Sequence, residues 1–379
     1  MNIGAIQERI RHLKVPSLVS GALTKGRDLY GVDIGSHSLK VVQLSGKPGA
    51  WKLERWGFFP FPGGGEINPL EKTEEASRLL REFVSKEKKG PRAAAVSVAG
   101  NSVVVRYVKL PKMPGAQLAK NLALEAEPYI PFSLPEVNLA FQVLGDSIEE
   151  GQPKMETVLV AAKKDLINNH LEILKSARLE PALVDIDAFC LQHAAAARVS
   201  HEETVLIVNL GAAVTTMSIL EKGLCRVARD VFIGGGTVNK AFQKQLGHSR
   251  DEAESAKLET AVAAEPEPSG EAAPEGAAET PSPARVLLGV VKDLVHEIQR
   301  SLDFYLSQNP DRQIQKALLA GGTSKLKGLA PYLASELRLP VETFDPLEGI
   351  AGGESVPSEA RPHLAVAVGL AMRRDGNGV

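Results

Sequence analysis

Two short stretches of this chain share one plan, and they constrain its fold more than anything else in it. GVDIGSHSLK (31–40) reads as strand, tight turn, strand, and IVNLGAAVTTMSI (207–219) repeats it far downstream. A third element, LLAGGTSKLKGL (318–329), is strand, glycine turn, helix. The turns are Asp33-Ile34-Gly35-Ser36, Asn209-Leu210-Gly211-Ala212-Ala213 and Ala320-Gly321-Gly322-Thr323-Ser324. In a tight turn between strands, backbone N–H groups point outward and can cradle an anion. Glycine lets that backbone come close to it. Two such hairpins facing each other would clamp a polyphosphate, and a glycine turn opening a helix suits the base and sugar. A single glycine after a strand is usually only a turn. The order and spacing of all three carry the signal.

The rest of the chain excludes the commoner routes to a nucleotide. There is no GxxxxGK[ST] and no GxGxxG after a first strand. Lys+Arg is 44 and Asp+Glu is 46, which gives no basic face for nucleic acid. Two cysteines, Cys190 and Cys225, make no ligand cluster, and the eight histidines show no metal-site spacing. No apolar run approaches the roughly 20 residues of a membrane span, so a cytoplasmic location is expected.

With 379 residues the chain has material for two lobes. Residues 1–28 read as a leader, with Ile3, Ile6, Ile10 and Leu13 at helical spacing among basic residues. It is either a basic amphipathic helix that touches a membrane or partner, or a short helix on its own domain or a frayed terminus. WKLERWGFFPF (51–61) is a third strand, and residues 73–88 form a helix with Thr73 as N-cap. RAAAVSVAGNSVVVRYVKLP (92–111) reads as a hairpin around Gly100-Asn101. A strand and helix follow at 158–178, and LEPALVDIDAF (179–189) gives a strand and then another helix starting near Ala188. Residues 260–284 contain almost only Ala, Glu, Pro, Gly, Ser and Thr, and are expected to be a disordered insertion. A long helix spans 285–307, and a last one lies near 363–373.

These motifs resemble the actin, chaperone and sugar-kinase superfamily. GVDIGSHSLK is similar to its first phosphate hairpin, IVNLGAAVTTMSI to its second, and LLAGGTSKLKGL to its adenosine motif. IDAFCLQHAAAA and LAVAVGLAMRR resemble the two helices that connect the lobes. Within the superfamily, LPKMPGAQLAKNLALEAEPYIPFSLPEVNLAFQVLG, above all Glu125 to Phe132, resembles the small subdomain shared by the PilM family of type IV pilus assembly proteins and the division protein FtsA. The likeness covers residues from about 29 to 373.

The resemblance implies an actin-like (ribonuclease H-like) two-lobed α/β fold with an FtsA/PilM-type insert. Its divisions would be a leader at 1–28, lobe I at 29–91 and 158–200, and the insert at 92–157. Lobe II would span 201–350 with the disordered insertion at 260–284, and 351–379 would return a helix to lobe I. It implies ATP and Mg2+ as ligands. Asp33 would meet magnesium through water. Gly35, Ser36 and Ser38 would meet phosphate oxygens, and Lys40 would neutralise the β-phosphate or remain a solvated strand residue. Gly211, Ala213 and Thr215 would flank the phosphates from the other side. Gly235, Gly236 and Asn239 would line the ribose, Glu254 and Lys257 would approach ribose and base, and Gly321, Gly322 and Ser324 would close on the adenosine. Asp185 and Asp187 are candidate general bases, or strand-end acids that cap the following helix.

Departures from the pattern shape the activity expected. Asn209 stands where active ATPases carry Asp, and Ala212 and Ala213 replace glycines. A neutral amide orients a magnesium-bound water less well than a carboxylate. ATP binding with slow or negligible hydrolysis is the expectation. The implied partner is the N-terminal cytoplasmic peptide of PilN, an inner-membrane protein, in a groove between the first lobe's main subdomain and its insert, with Leu118, Leu122, Tyr129, Ile130 and Phe132 as candidates unless they pack the insert's core. Other pilus platform and motor proteins, an inner-membrane periphery and a homo-oligomer or ring belong to the same expectation. Two alternatives stand beside it. An FtsA-like filament-forming division protein is disfavoured by the chain's ending soon after Met372 with RRDGNGV and no amphipathic helix. A small-molecule kinase of the same fold would need a catalytic carboxylate and a substrate-sized cleft.

Overall fold

The computed structural model describes residues 19–20, 28–65, 68–86, 93–263 and 281–373. The leader helix read from Ile3, Ile6, Ile10 and Leu13 lies outside them, as do residues 264–280 and 374–379.

The first sheet begins with the hairpin of β2 (Tyr30–Ile34) and β3 (Ser38–Lys47), closed by the Gly35 amide on Ser38 O at 3.1 Å. It continues to β4 (Ala50–Pro60) on one side and to β5 (Ala93–Val98) and β9 (Glu180–Ile186) on the other. Its order is β1-β9-β5-β2-β3-β4, with the two-residue β1 (Val19–Ser20) at the edge. Strands β2, β5 and β9 run parallel and are almost wholly buried, so their sequences read as continuous apolar runs rather than alternating ones.

Helix α1 (Pro69–Ser85) starts earlier than Thr73. Asn68 is its cap, accepting the Leu70 and Glu71 amides at 3.0 and 2.9 Å, and Pro69 occupies the first helical position. An Asn cap followed by Pro is the stronger start signal, and Thr73 inside the helix turns its hydroxyl back to Pro69 O instead.

The expected hairpin around Gly100-Asn101 does not form. β5 belongs to the first sheet, whereas β6 (Val103–Pro111) pairs antiparallel with β8 (Gln152–Lys163) in a separate three-stranded sheet of order β6-β8-β7, where β7 is Val137–Glu149. The cause lies in the strands. Ala93–Val98 is buried throughout and needs neighbours on both edges, while β6 is only half-covered. Gly100, at φ +85°, turns the chain from one sheet to the other. The small sheet therefore spans Val103–Lys163, and α2 (Gly115–Ala126) covers it over Leu110, Leu118, Ile130, Phe141 and Leu159.

The second large sheet has the order β12-β11-β10-β13-β14, from β10 (Thr204–Leu210), β11 (Thr215–Glu221), β12 (Leu224–Val231), β13 (Lys316–Ala320) and β14 (Val341–Thr343). Its own core packs α5 (Gly235–Leu246), α6 (Arg250–Glu259), α7 (Pro283–Gln308) and α8 (Leu329–Leu337). The stretch read as a disordered insertion is built into the fold at both edges. Val262 is buried with its amide on Lys327 O at 2.7 Å, and Ser282-Pro283 caps and opens α7.

Three further helices complete lobe I: α3 (Lys164–Ser176), α4 (Asp187–Ala195) and α9 (Ala365–Ala371). The last two cross so tightly that a methyl on Gly369 would sit 1.9 Å from Cys190 O.

Candidate functional site

The three glycine turns converge on one cleft of about 470 Å³ between the two large sheets. Asp33, Gly35, Ser36, Ser38 and Lys40 line it from the first hairpin, and Asn209, Gly211 and Ala213 from the second. Gly235, Glu254 and Lys257 face it from α5 and α6, and Gly321 and Gly322 from the third turn. The β2–β3 register sets Asp33 opposite Lys40, and their side chains pair at 3.2 Å. Lys40 is therefore not a solvated strand residue. Across the cleft mouth the Ala213 amide donates to Ser36 Oγ at 3.2 Å.

Four predicted residues stand behind the cleft wall. Thr215 is fully buried and donates to Ile233 O at 2.6 Å. The Gly236 amide is used on Ala212 O at 2.8 Å, beside the Gly235 amide on Gly211 O at 3.0 Å. The start of α5 is thus docked on the second turn, which leaves those two amides unavailable to a ligand. Ser324 Oγ donates to Gly321 O at 2.7 Å. Asn239 donates to Glu254 Oε2, which also accepts from Lys257, both at 2.6 Å. Burial alone would raise the Glu254 carboxyl, but Lys257 and Asn239 outweigh it and hold it below its usual range. Asn239 Oδ1 is buried with no partner among the described residues.

The two candidate bases separate. Asp185 is 1% exposed, lies away from the cleft, and is engaged by Arg373 Nη1. It has no access to water and is not a base. Asp187 does reach the cleft, where Ser97 Oγ donates to it at 2.6 Å. Burial, then the charge of Asp33, pushes its carboxyl up to about 7. Neither acid caps α4, whose N-cap is Ile186 without a side-chain bond.

Several cleft residues had no local sequence signal. Lys72 reaches in from the first turn of α1. His170 and His363 also line it, each lowered to about 4 chiefly by burial and so neutral at pH 7, and Phe58 packs against His363 with ring centres 4.6 Å apart and planes tilted by 52°. Asp230 joins the second hairpin to the strand crossing: Thr216 Oγ1 donates to Oδ1 at 2.8 Å, and the Gly100 amide to Oδ2 at 2.6 Å.

Of the five partner candidates, Leu118 and Ile130 are buried in the small sheet's core. Packing claims them, as amphipathic coverage of a sheet demands. Leu122 and Phe132 are half-buried at its margin, and Tyr129 is 38% exposed. Phe132, under Lys163 Nζ at 5.1 Å, opens on a second cavity of about 320 Å³ between β6 and β12, bordered by Phe232, which is 50% exposed.

Among the described residues no helix is long and apolar enough to cross a membrane, and no three His, Cys, Asp or Glu side chains group to hold a metal. The family described as type IV pilus assembly protein PilM matches residues 31–375. The solved PilM–PilN type IV pilus biogenesis complex is 25% identical, covering 93% of this chain and 99% of that one, with a TM-score of 0.76. The ethanolamine utilization protein EutJ from Carboxydothermus hydrogenoformans is 14% identical, covering 98% of this chain and 99% of its own, with a TM-score of 0.48. MreB 5 of Spiroplasma citri bound to AMPPNP is 12% identical, covering 91% and 95%, with a TM-score of 0.49. The architecture is the actin-like α/β fold, two sheet-centred lobes about a cleft with a small sheet inserted in the first. With the match running almost from end to end and the insert present, the chain belongs to the PilM family of type IV pilus assembly proteins.

Proposed function

We propose that the chain is an ATP-binding adaptor of the pilus inner-membrane platform, which binds the N-terminal peptide of PilN at the cytoplasmic face and links it to the pilus motor. The observation that carries the nucleotide half is the convergence of three glycine turns on one cleft, with the first two touching through Ala213 and Ser36. The paired Glu254 and Lys257, which line the other end of the cleft, support a ribose or base there, since a carboxylate can accept from sugar hydroxyls.

The residues fit a magnesium ion brought in with the nucleotide rather than one held by the protein alone. Asp33 and Asp187 are the carboxylates nearest the first hairpin, and Lys40 is the cation paired with Asp33. They would hold Mg2+ through water while phosphate oxygens supply the rest, and the ion would neutralise phosphate charge there. Asn209 in place of a carboxylate supports slow turnover.

The peptide half rests on the cavity beside Phe132. It lies between two sheet edges, β6 and β12, whose outer backbone groups suit an extended strand, and Phe132 and Phe232 offer apolar walls. Asp230, on β12, hydrogen-bonds Thr216 of the second hairpin and the Gly100 amide, which links the two sites.

The test is a calorimetric titration of the full chain with Mg-ATP and with a synthetic PilN N-terminal peptide. Both bind, and Phe132→Asp removes peptide binding while leaving the ATP Kd within about twofold. Peptide affinity no better than that of a scrambled sequence removes the adaptor reading, and absence of any nucleotide binding removes the ATP reading.

A further inference from the structure

The cleft wall carries four lysines, and they are not equivalent. Lys40 is paired with Asp33 at 3.2 Å and Lys257 with Glu254 at 2.6 Å. Lys325 is exposed on the third turn, at the end expected to meet adenosine. Lys72, on α1, is half-buried in the wall beside the first hairpin, and its ammonium has no ion pair or hydrogen bond among the described residues. What faces it is the Phe61 ring at 6.0 Å, the Lys40–Asp33 pair, and His170 from α3. Burial, then the nearby charge of Lys40, lowers its amine from the ordinary value against the opposing charge of Asp33, and no carboxylate among the described residues lies at ion-pair distance from it.

His170 cannot supply a donor to an anion at this end. Its Nδ1 lies 2.9 Å from Leu166 O, a carbonyl that can only accept, so the ring proton sits on Nδ1. The ring is neutral at pH 7, which leaves Nε2 an acceptor. Lys40 has its charge matched already. Among the described cleft residues, the unpaired lysine at the hairpin end is Lys72.

We propose that Lys72 is the residue by which this cleft distinguishes a nucleoside triphosphate from a diphosphate, its ammonium pairing with the terminal phosphate. The inference rests on reading the cleft as an ATP site. A triphosphate brings one more phosphoryl group and more negative charge than a diphosphate, and a charge-assisted contact to that extra group favours ATP alone. Because Lys72 stands on α1, one turn from the Asn68 cap and next to Thr73, whose hydroxyl oxygen lies 3.0 Å from Asn169 Oδ1 of α3, pairing with ATP also fixes α1 relative to the hairpin.

The experiment is the Kd of ATP and of ADP, each with Mg2+, for wild type, Lys72→Met and Lys72→Arg, with the melting temperature of each ligand-free protein. Lys72→Met weakens ATP by about tenfold or more and leaves ADP within about twofold, as loss of one charged contact to one phosphate requires. Lys72→Arg keeps most of the preference. Ligand-free Lys72→Met melts no lower than wild type, because a half-buried cation with no ion pair has been removed. The ratio of the two Kd values on one preparation is insensitive to a partial folding defect, since misfolded protein drops out of both titrations. Equal weakening of ATP and ADP, or no weakening of either, overturns the proposal while the ATP site stands. A wild-type chain that binds neither nucleotide overturns the underlying reading instead.

Discussion

The Ala213 amide donates to the Ser36 hydroxyl at 3.2 Å, joining two turns 177 residues apart in the chain. The bond brings the two turns together across the mouth of the cleft that both line. What holds each turn in that position is backbone packed against backbone, and this decides which glycines tolerate a methyl.

Gly321 sits at φ +82°, and a Cβ there would lie 2.3 Å from Leu210 O, in the strand that leads into the second turn. Gly321→Ala is expected to cost about 2 kcal/mol or more and to abolish nucleotide binding, through strain that no side-chain movement relieves. At Gly35 the φ is unexceptional and the added methyl meets Lys40 Nζ at 2.5 Å, the far end of a flexible chain. Gly35→Ala should stay within about 1 kcal/mol of wild type and weaken ATP by displacing the Lys40–Asp33 pair. Urea denaturation and nucleotide titration of both variants check this; the reverse order of severity would show that the turns are not held as described.

How much of this was legible in the sequence depends on whether the cause was local. The strand–turn–strand pattern around Gly35 and Gly211 was readable because buried strands and a glycine turn are both written within ten residues, and the Glu254–Lys257 pair because i,i+3 residues meet on any helix. Gly100-Asn101 misled because a turn looks the same whether its two strands pair with each other or leave for different sheets. Thr73 misled because the competing cap, Asn68-Pro69, lay outside the apolar pattern. Asp185 and Asp187 were inseparable two residues apart, since alternation along β9 sends one inward to Arg373 and its neighbour helix carries the other to the cleft. Lys72 left no trace: its role exists only once α1 is laid against the hairpin.

Arg373 and Asp185 form a buried pair, 6% and 1% exposed, that ties the residue just after α9 to the strand leading into α4. Burial raises the Asp185 carboxyl even beside this cation, which shows how costly the charge is. Arg373→Met removes the partner and should destabilise by about 3–5 kcal/mol, because an unpaired carboxylate is left inside. Asp185→Leu with Arg373→Met should recover most of that loss. A urea double-mutant cycle measures it; if the single and double variants are equally unstable, the pair is not what joins these segments.

Asp187 turns the cleft's electrostatics into a pH dependence. Its carboxyl is raised from an ordinary value of 3.8 to about 7, by burial first and Asp33 second. Below about pH 4 the folded and unfolded chains both carry the proton, and the group has no effect on stability. Between about pH 4 and 7 the unfolded chain releases it and the folded chain keeps it, so stability falls as pH rises, and above about pH 7 the loss is complete. Asp187→Asn cannot ionise and still accepts from Ser97. It should match wild type near pH 4.5 and exceed it by about 1–2 kcal/mol at pH 8, a figure kept small because the cleft is open to solvent. Saturating ATP with Mg2+ places a cation beside the ionised wild-type carboxylate, which stabilises wild type more than the variant and narrows the gap at pH 8. Urea midpoints at four pH values, with and without nucleotide, read both effects. A difference that is the same at pH 5 and pH 8 would mean Asp187 titrates normally and feels neither burial nor Asp33.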